Sequence, residues 1–432
     1  MKQTSDVVAC VFDHGLIGVP FAERLAREFK HVYVFFPWEK GQNLFSEAIV
    51  GDGFDNIERT LDFWKIKNDV DVFIFPDVGD SGLQLELESQ GKAVWGSRGG
   101  DRYELDRELF LRTLKDVGLE QPPFEVLVGK SALQAFLKDK KDYYIKISLF
   151  RGTFETTHWR SWQLDASWLD SIGVRFGPFA EEIRFLCFPD IDTPIEIGAD
   201  TYCVDGKFPS LVLHGVEWKD RAFLGAVTKL ERMPRQLREV LTRFGPVLGE
   251  SHYRNFLSCE VRVKGSKFYF TDPTCRMSLP GSGSQYELWR NWGDIVWHGA
   301  NGELVEPLPT AKYCAEAIVK MSGDHNEWRV ADVPAALKRW LKLADYCEYE
   351  GLTCFPNSEA PGGDEVGWLV ALGQTPEETI RTLNARADML PDGLDANTEC
   401  VAYVLKEVHE MAKAGIKFGE GVMPQLSVTA VL

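Results

Sequence analysis

The chain has 432 residues, room for about two to four domain-sized units with substantial cores. Hydrophobic residues make up 44% and charged residues 26%, which excludes wholesale disorder and collagen-like fibres. With 48 Lys+Arg against 65 Asp+Glu, the net charge of −17 argues against broad binding to nucleic acid or to anionic membranes, while leaving room for a local phosphate pocket.

Taken in chain order, the first hundred residues alternate apolar runs with helical patterns. Strands are expected at Val7–Phe12, Val32–Phe36, Asp71–Pro76 and Ala93–Trp95, and helices at Pro20–Phe29, Ile57–Lys67 and Leu83–Gln90. Strand, glycine turn, helix, strand is the grammar of a parallel sheet with crossover helices. A long helix is expected over Arg102–Val117, ended by Pro122-Pro123. Phe124–Val128, Ser131–Lys138 and Tyr143–Ser148 read as strand, helix and strand. A β-rich stretch follows at Glu182–Phe188, Pro194–Val204, Ser210–Val216, Leu257–Val263 and Lys267–Thr271, interrupted by a helix over Pro234–Gly249. Asp205-Gly206 and Gly265-Ser266 supply hairpin chemistry. Beyond residue 300, helices are expected at Ala311–Met321 and Val333–Asp345. A strand at Val366–Leu372 then precedes a helix opened by Thr375-Pro376-Glu377-Glu378, an N-cap with Pro and acids in the first turn.

No stretch of about 18 uninterrupted apolar residues occurs, so no membrane span is expected. The N-terminus lacks the apolar core and cleavage site of a signal peptide. The nine cysteines are scattered, odd in number and free of C-x-x-C. Reduced thiols and a cytoplasmic setting are therefore expected, with a Cys347–Cys354 bond as the minority alternative. His14, His158, His214 and His252 stand alone, without metal spacing.

Chemistry concentrates in three places. Glu260 lies on one strand and Asp272 ends the next, so a turn at Gly265 brings two carboxylates together as a hard-oxygen site suited to Mg²⁺. Arg276, just beyond, offers a fork for a carboxylate or phosphoryl group; the plain alternative is two solvated acids and an ion-paired arginine. Lys146 interrupts an apolar strand, where it would need an anion or an edge position facing water. Gly15 and Gly18 stand where a strand meets a helix, and serve either a tight turn or an anion contact.

In order, these pieces resemble the ATP-grasp superfamily, and within it the phosphoribosylamine–glycine ligase type, as a divergent relative of a kind also encoded by bacteriophages. The resemblance rests on Val94-Trp95-Gly96-Ser97-Arg98, on Asp106-Arg107 opening a helix, on the strand lysine Lys146, and on Asp272-Pro273-Thr274-Cys275-Arg276 preceded by Glu260. It implies an α/β and α+β architecture. A Rossmann-like pre-ATP-grasp domain would span about 1–100, an ATP-grasp domain 101–300 with its ATP lid near 120–190, and a mixed C-terminal domain 301–432. It further implies ATP contacts from Arg107, Lys146, Ser148, Gly152, Leu186, Cys187, Phe188 and Glu196, with Glu182 or Asp190 near the ribose. Metal contacts would come from Glu260, Asp272 and Thr274, substrate contacts from Gly15, Gly18, Asp77 and Arg98, and catalysis from Arg276. The departures are arginine for lysine at 107, a glycine-poor loop over Ser148–Thr156, a missing acidic pair near Leu186, and Thr274 in place of Asn. The implied activity is an ADP-forming carbon–nitrogen ligase of the kind used in purine biosynthesis. It would use ATP with Mg²⁺, or Mn²⁺ in its place, to join a small carboxylate such as glycine to an amine. The enzyme would act as a monomer or homodimer in the cytoplasm, the host's if the chain is viral. The competing expectation is a catalytically silent scaffold that binds nucleotide or a partner protein.

Overall fold

The computed structural model describes residues 1–13, 17–36, 50–148, 156–219, 221–322, 329–355 and 364–419. Gly15, Gly152 and most of the Ser148–Thr156 loop lie outside them.

Five short strands form the first sheet: β1 Val8–Phe12, β2 His31–Phe35, β3 Ile57–Thr60, β4 Val72–Ile74 and β5 Ala93–Trp95, in the order β3-β2-β1-β4-β5 and parallel throughout. β1 and β4 are buried almost end to end, as continuous apolar runs in a parallel sheet require. The segment expected as a helix over Ile57–Lys67 instead splits into β3 and a single turn, Phe63–Ile66, capped by the Asp62 side chain. Edge pairing with β2 outweighs a short helical pattern.

A four-stranded antiparallel sheet follows: β6 Glu125–Val128, β7 Tyr143–Ile147, β8 Thr156–Trp159 and β9 Arg184–Pro189, in the order β6-β9-β7-β8. It has its own core of Leu133, Leu137, Ile145, Ile147, Trp159 and Phe185.

The largest sheet has nine strands. β10 Glu196–Val204, β11 Leu211–Trp218, β12 Ala222–Lys229, β13 Arg254–Lys264, β14 Lys267–Thr274 and β15 Tyr313–Met321 supply most of it. β16 Arg329–Ala331, β18 Cys347–Tyr349 and β19 Leu352–Phe355 make a small separate sheet, while β17 Leu341–Leu343, β20 Asp364–Gly373 and β21 Leu394–Ala396 complete the large one. Its order is β14-β13-β10-β11-β12-β15-β20-β17, with β21 beside β15. The β10–β11 connection is a tight turn with both central residues at positive φ, Asp205 at 49° and Gly206 at 83°, as its sequence predicts.

Two expected helices are strands. Tyr313–Met321 is β15, between β12 and β20 in mid-sheet, and Val333–Asp345 holds only the turn Ala335–Lys338 before β17. β12 has no counterpart in the sequence reading. The Arg102–Val117 helix breaks at Asp106, which caps a second helix, Arg107–Asp116, by accepting from the Leu109 N–H at 3.0 Å. Thr375 caps its helix as expected, accepting from the Glu378 N–H at 3.2 Å. All nine cysteines are free and buried; Cys347 and Cys354 face each other across β18 and β19 without a bond. Among the described residues, no helix is long and apolar enough to cross a membrane.

Candidate nucleotide-binding site

The site forms where three units meet. Lys146 on β7 is flanked by Ile145 and Ile147, which point into the small sheet's own core. Strand alternation therefore sends Lys146 the other way, across to β14, where its Nζ lies 3.0 Å from Asp272 Oδ2. Arg107, opening the helix that Asp106 caps, reaches Asp272 Oδ1 with its guanidinium. Its backbone N–H donates to Ser148 Oγ at 3.2 Å. The three side chains are nearly closed to solvent, at 4% for Arg107, 13% for Asp272 and 14% for Lys146.

Glu260 stands directly opposite Asp272 across the β13–β14 ladder, beside a bulge at Glu260/Val261. Residues opposite each other in an antiparallel ladder share a face, so Glu260, Asp272 and, on the next two strands β10 and β11, Glu196 and Glu217 crowd one side of the sheet. Burial, with Asp272 and Glu196 nearby, pushes the Glu260 carboxyl up to about 8 against the opposing Lys219 and Lys146. Burial and Glu260 likewise raise Glu217. Asp272 differs: burial alone would raise it, but Arg107 and Lys146 hold it well below the ordinary carboxylate range. Burial and Arg107 lower Lys146.

A cavity of about 520 Å³ opens over this face. Its ionic end carries Lys146, Glu260 and Asp272; its apolar end carries Pro122, Tyr144, Phe188 and Ile191. A larger cavity of about 760 Å³ lies between Glu23, Phe54, Lys338 and Glu348. Inside it, Lys338 pairs with Glu348 at 2.7 Å and the Tyr346 hydroxyl donates to Glu23 at 2.7 Å, and we place no chemistry there.

The other expected site residues divide. Phe188 lines the cavity, whereas Leu186 and Cys187 are buried within β9 packing. Glu196 lines it and pairs with Arg262 at 2.7 Å. Thr274 sits opposite Ser258 on the Asp272 face but does not line the cavity. Arg276 lies at the seam with the first sheet. Its Nε donates to Glu104 Oε1 at 2.8 Å and lies 3.5 Å from Asp77 Oδ1, the acid of the first-sheet loop.

Two expected substrate contacts are corrected. Arg98 is fully buried, its guanidinium held by Glu88 at 3.0 and 3.1 Å and by the carbonyls of Gly96 and Val94, so it braces the first sheet. Gly18 gives its amide to Asp13 Oδ1 at 3.2 Å, and a Cβ there would fall 2.3 Å from Asp13 Cγ. Close packing on a carboxylate, not anion binding, explains this glycine.

The sequence reading missed Glu217, Lys219 and the C-terminal helix Glu399–Lys413, whose Lys406, Glu407 and Glu410 line the cavity. Glu217 left a signal, an acid after six apolar or neutral residues of β11, but the expected strand ends at Val216, two residues short of Trp218. Glu407 left none, because only the fold brings it to the site.

No family model matches the sequence, and no curated protein matches it. Solved structures do. Phosphoribosylamine–glycine ligase from Thermotoga maritima is similar over 90% of this chain and 99% of its own, at 15% identity and TM-score 0.66. The biotin carboxylase domain of Hydrogenobacter thermophilus 2-oxoglutarate carboxylase, in complex with MgADP, ADP and bicarbonate, is similar over 96% and 99%, at 11% identity and TM-score 0.64. Biotin carboxylase from Campylobacter jejuni, in a β,γ-ATP complex, is similar over 95% and 98%, at 11% identity and TM-score 0.63. The chain has the ATP-grasp fold. Within the ATP-grasp fold, the small sheet carrying Lys146 and the large sheet carrying Glu260 and Asp272 are the two jaws around the cavity.

Proposed function

We propose that the protein is an ATP- and Mg²⁺-dependent ligase that joins a small carboxylate to an amine through an acylphosphate. The observation that carries this reading is the meeting of Lys146, Arg107 and Asp272 beside Glu260, at the ionic end of a cavity whose other end is apolar. An apolar end suits a purine ring, and two cations suit its phosphates.

The donor set fits a hard divalent cation. Burial and mutual repulsion raise the Glu260 and Glu217 carboxyls, which a cation's charge would offset, and Asp272 stays ionised between two cations. Among the described residues, no three His, Cys, Asp or Glu side chains form a complete metal cage. Mg²⁺ needs only one or two carboxylates and completes its shell with water and phosphate oxygens. Glu260 and Asp272 would hold the ion, which supplies neutralisation of phosphate charge.

Lys146 and Arg107 would leave Asp272 for the incoming phosphates, exchanging one anionic partner for another. A carboxylate oxygen of the substrate then attacks the γ-phosphorus while the bond to the ADP oxygen breaks. The amine nitrogen next attacks the acyl carbon, phosphate leaves and the nitrogen loses a proton. The site's contribution is positioning and charge neutralisation. Arg276 would steady the acyl or phosphoryl oxygens once released from Glu104.

A second reading, a catalytically silent nucleotide-binding scaffold, draws support from that Glu104 clasp on Arg276. ADP release separates the two. The ligase reading expects Mg²⁺·ATP to raise the melting temperature and a panel of amino acids with amines to yield a combination that releases ADP. A shift without ADP release across the panel favours the scaffold, and no shift at millimolar ATP defeats both.

A further inference from the structure

We infer that Glu407, on the C-terminal helix, accepts hydrogen bonds from the ribose hydroxyls of the bound nucleotide, so that this helix supplies the sugar selectivity of the pocket. The inference rests on the nucleotide reading above and adds to it a residue from an element remote in sequence.

The cavity floor is laid out in rows. The first row is Lys146, Glu260 and Asp272, where phosphates would bind. Two residues along the same strands comes a second row: Tyr144 on β7, Arg262 on β13 with its guanidinium 5.7 Å from the Tyr144 ring centre, and Glu196 opposite Arg262 on β10. Two residues of strand span roughly 6.5–7 Å, about the step from a nucleotide's phosphates to its sugar. The second row meets the apolar end here: Phe188 stands opposite Tyr144 on β9, and Ile191 lies three residues further along the chain. The second row is therefore where a sugar would sit.

In that row Glu196 is already committed, accepting from Arg262 Nε at 2.7 Å. Glu407 faces the same two groups from the other wall of the cavity. No hydrogen-bond donor reaches its carboxyl among the described residues, and burial beside Glu196 raises it to about 7. A carboxyl that faces the cavity without a protein donor is open to a ligand's, and a ribose offers two adjacent O–H donors. The helix is firmly based. Val401, Val404, Leu405, Val408 and Met411 are buried beneath it, and the Tyr403 ring meets Trp218 edge-on at 4.3 Å. Glu407 is thus held over the second row by a packed stripe, not by a loop.

The test is a titration of the full chain with Mg²⁺·ATP and Mg²⁺·2′,3′-dideoxy-ATP, for wild type, Glu407→Ala and Glu407→Gln. Wild type should prefer ATP by about tenfold, the scale of a hydrogen bond to a charged acceptor, and Glu407→Ala should bring the two ligands to near parity. If the alanine variant does not fold, Glu407→Gln, of the same size, decides the question by narrowing the preference at least about threefold. A variant that folds, binds ATP and keeps the full wild-type preference overturns the ribose contact alone. A wild type that binds neither ligand overturns the nucleotide reading and the contact with it.

Discussion

Asp272 occupies a position that ATP phosphates would contest. It neutralises Lys146 and Arg107, both nearly buried, and two such cations without an anion would repel each other at close range. Asp272→Asn should therefore act in opposite directions on two measurements. With the competing anion gone, metal-free ATP, titrated with chelator present, should bind about fivefold tighter, equivalent to about 1 kcal/mol. Turnover with Mg²⁺ should fall at least about a hundredfold, because the same change removes a metal oxygen. Weaker chelator-state binding would show that the carboxylate assembles the phosphate site rather than holding its place. Lys146 stood out in the sequence as a charge set into an apolar strand, and Glu260 and Asp272 as acids that the turn at Gly265 pairs. Arg98 was expected at the substrate only through the resemblance, and a buried arginine can be satisfied by internal partners, here Glu88 and the carbonyls of Gly96 and Val94, as well as by a ligand.

Misread elements share one physical cause. β15 reads Tyr-Cys-Ala-Glu-Ala-Ile-Val-Lys-Met, and alanine and glutamate favour helix in isolation. In mid-sheet, β12 and β20 take its backbone hydrogen bonds on both edges, and most of its side chains are buried, so tertiary packing overrides propensity. Strands β1, β2, β4 and β5 and the helix capped by Thr375 were legible because their signals are local; β15 and β12 become strands through neighbours far along the chain. Glu316 shows what the buried strand carries. It is fully buried, and its two oxygens accept the N–H groups of Gly281 at 2.9 Å and Ser284 at 2.7 Å at the start of helix Ser282–Leu288. Glu316→Ala should leave both amides without that acceptor and cost about 2–3 kcal/mol, read as a lower urea midpoint. An unchanged midpoint would mean the helix start finds other acceptors.

Across the whole molecule, the first sheet, the large sheet and the C-terminal segment converge on one carboxylate. Glu287, 1% exposed, accepts from Arg27 at 2.7 Å, Arg339 at 2.7 Å and Lys342 at 2.6 Å. Burial alone would raise its carboxyl, but Lys342 and Arg27 bring it from its ordinary 4.5 down to about 2. The folded value lies below the unfolded one, so its contribution to stability is complete above about 4.5 and drains away as pH falls towards about 2. Glu287→Gln should cost about 3–5 kcal/mol at neutral pH by stranding three cations. It should also flatten the acid limb of the stability curve between pH 4.5 and 2. Paired acid-unfolding curves check this, and parallel limbs for the two proteins would assign the acid sensitivity to other carboxyls.

The cavity wall contributed by helix Glu399–Lys413 bears on the order in which the molecule is made. A ribosome releases β7, with Lys146, more than two hundred residues before Glu407 emerges. The Lys146–Asp272 end of the cavity, once β14 has paired with β13, can be complete while its far end still lacks a wall. Domains fold in order of synthesis, so a chain stopped short of residue 399 would carry the Lys146–Asp272 end of the cavity as an open jaw, without its C-terminal wall.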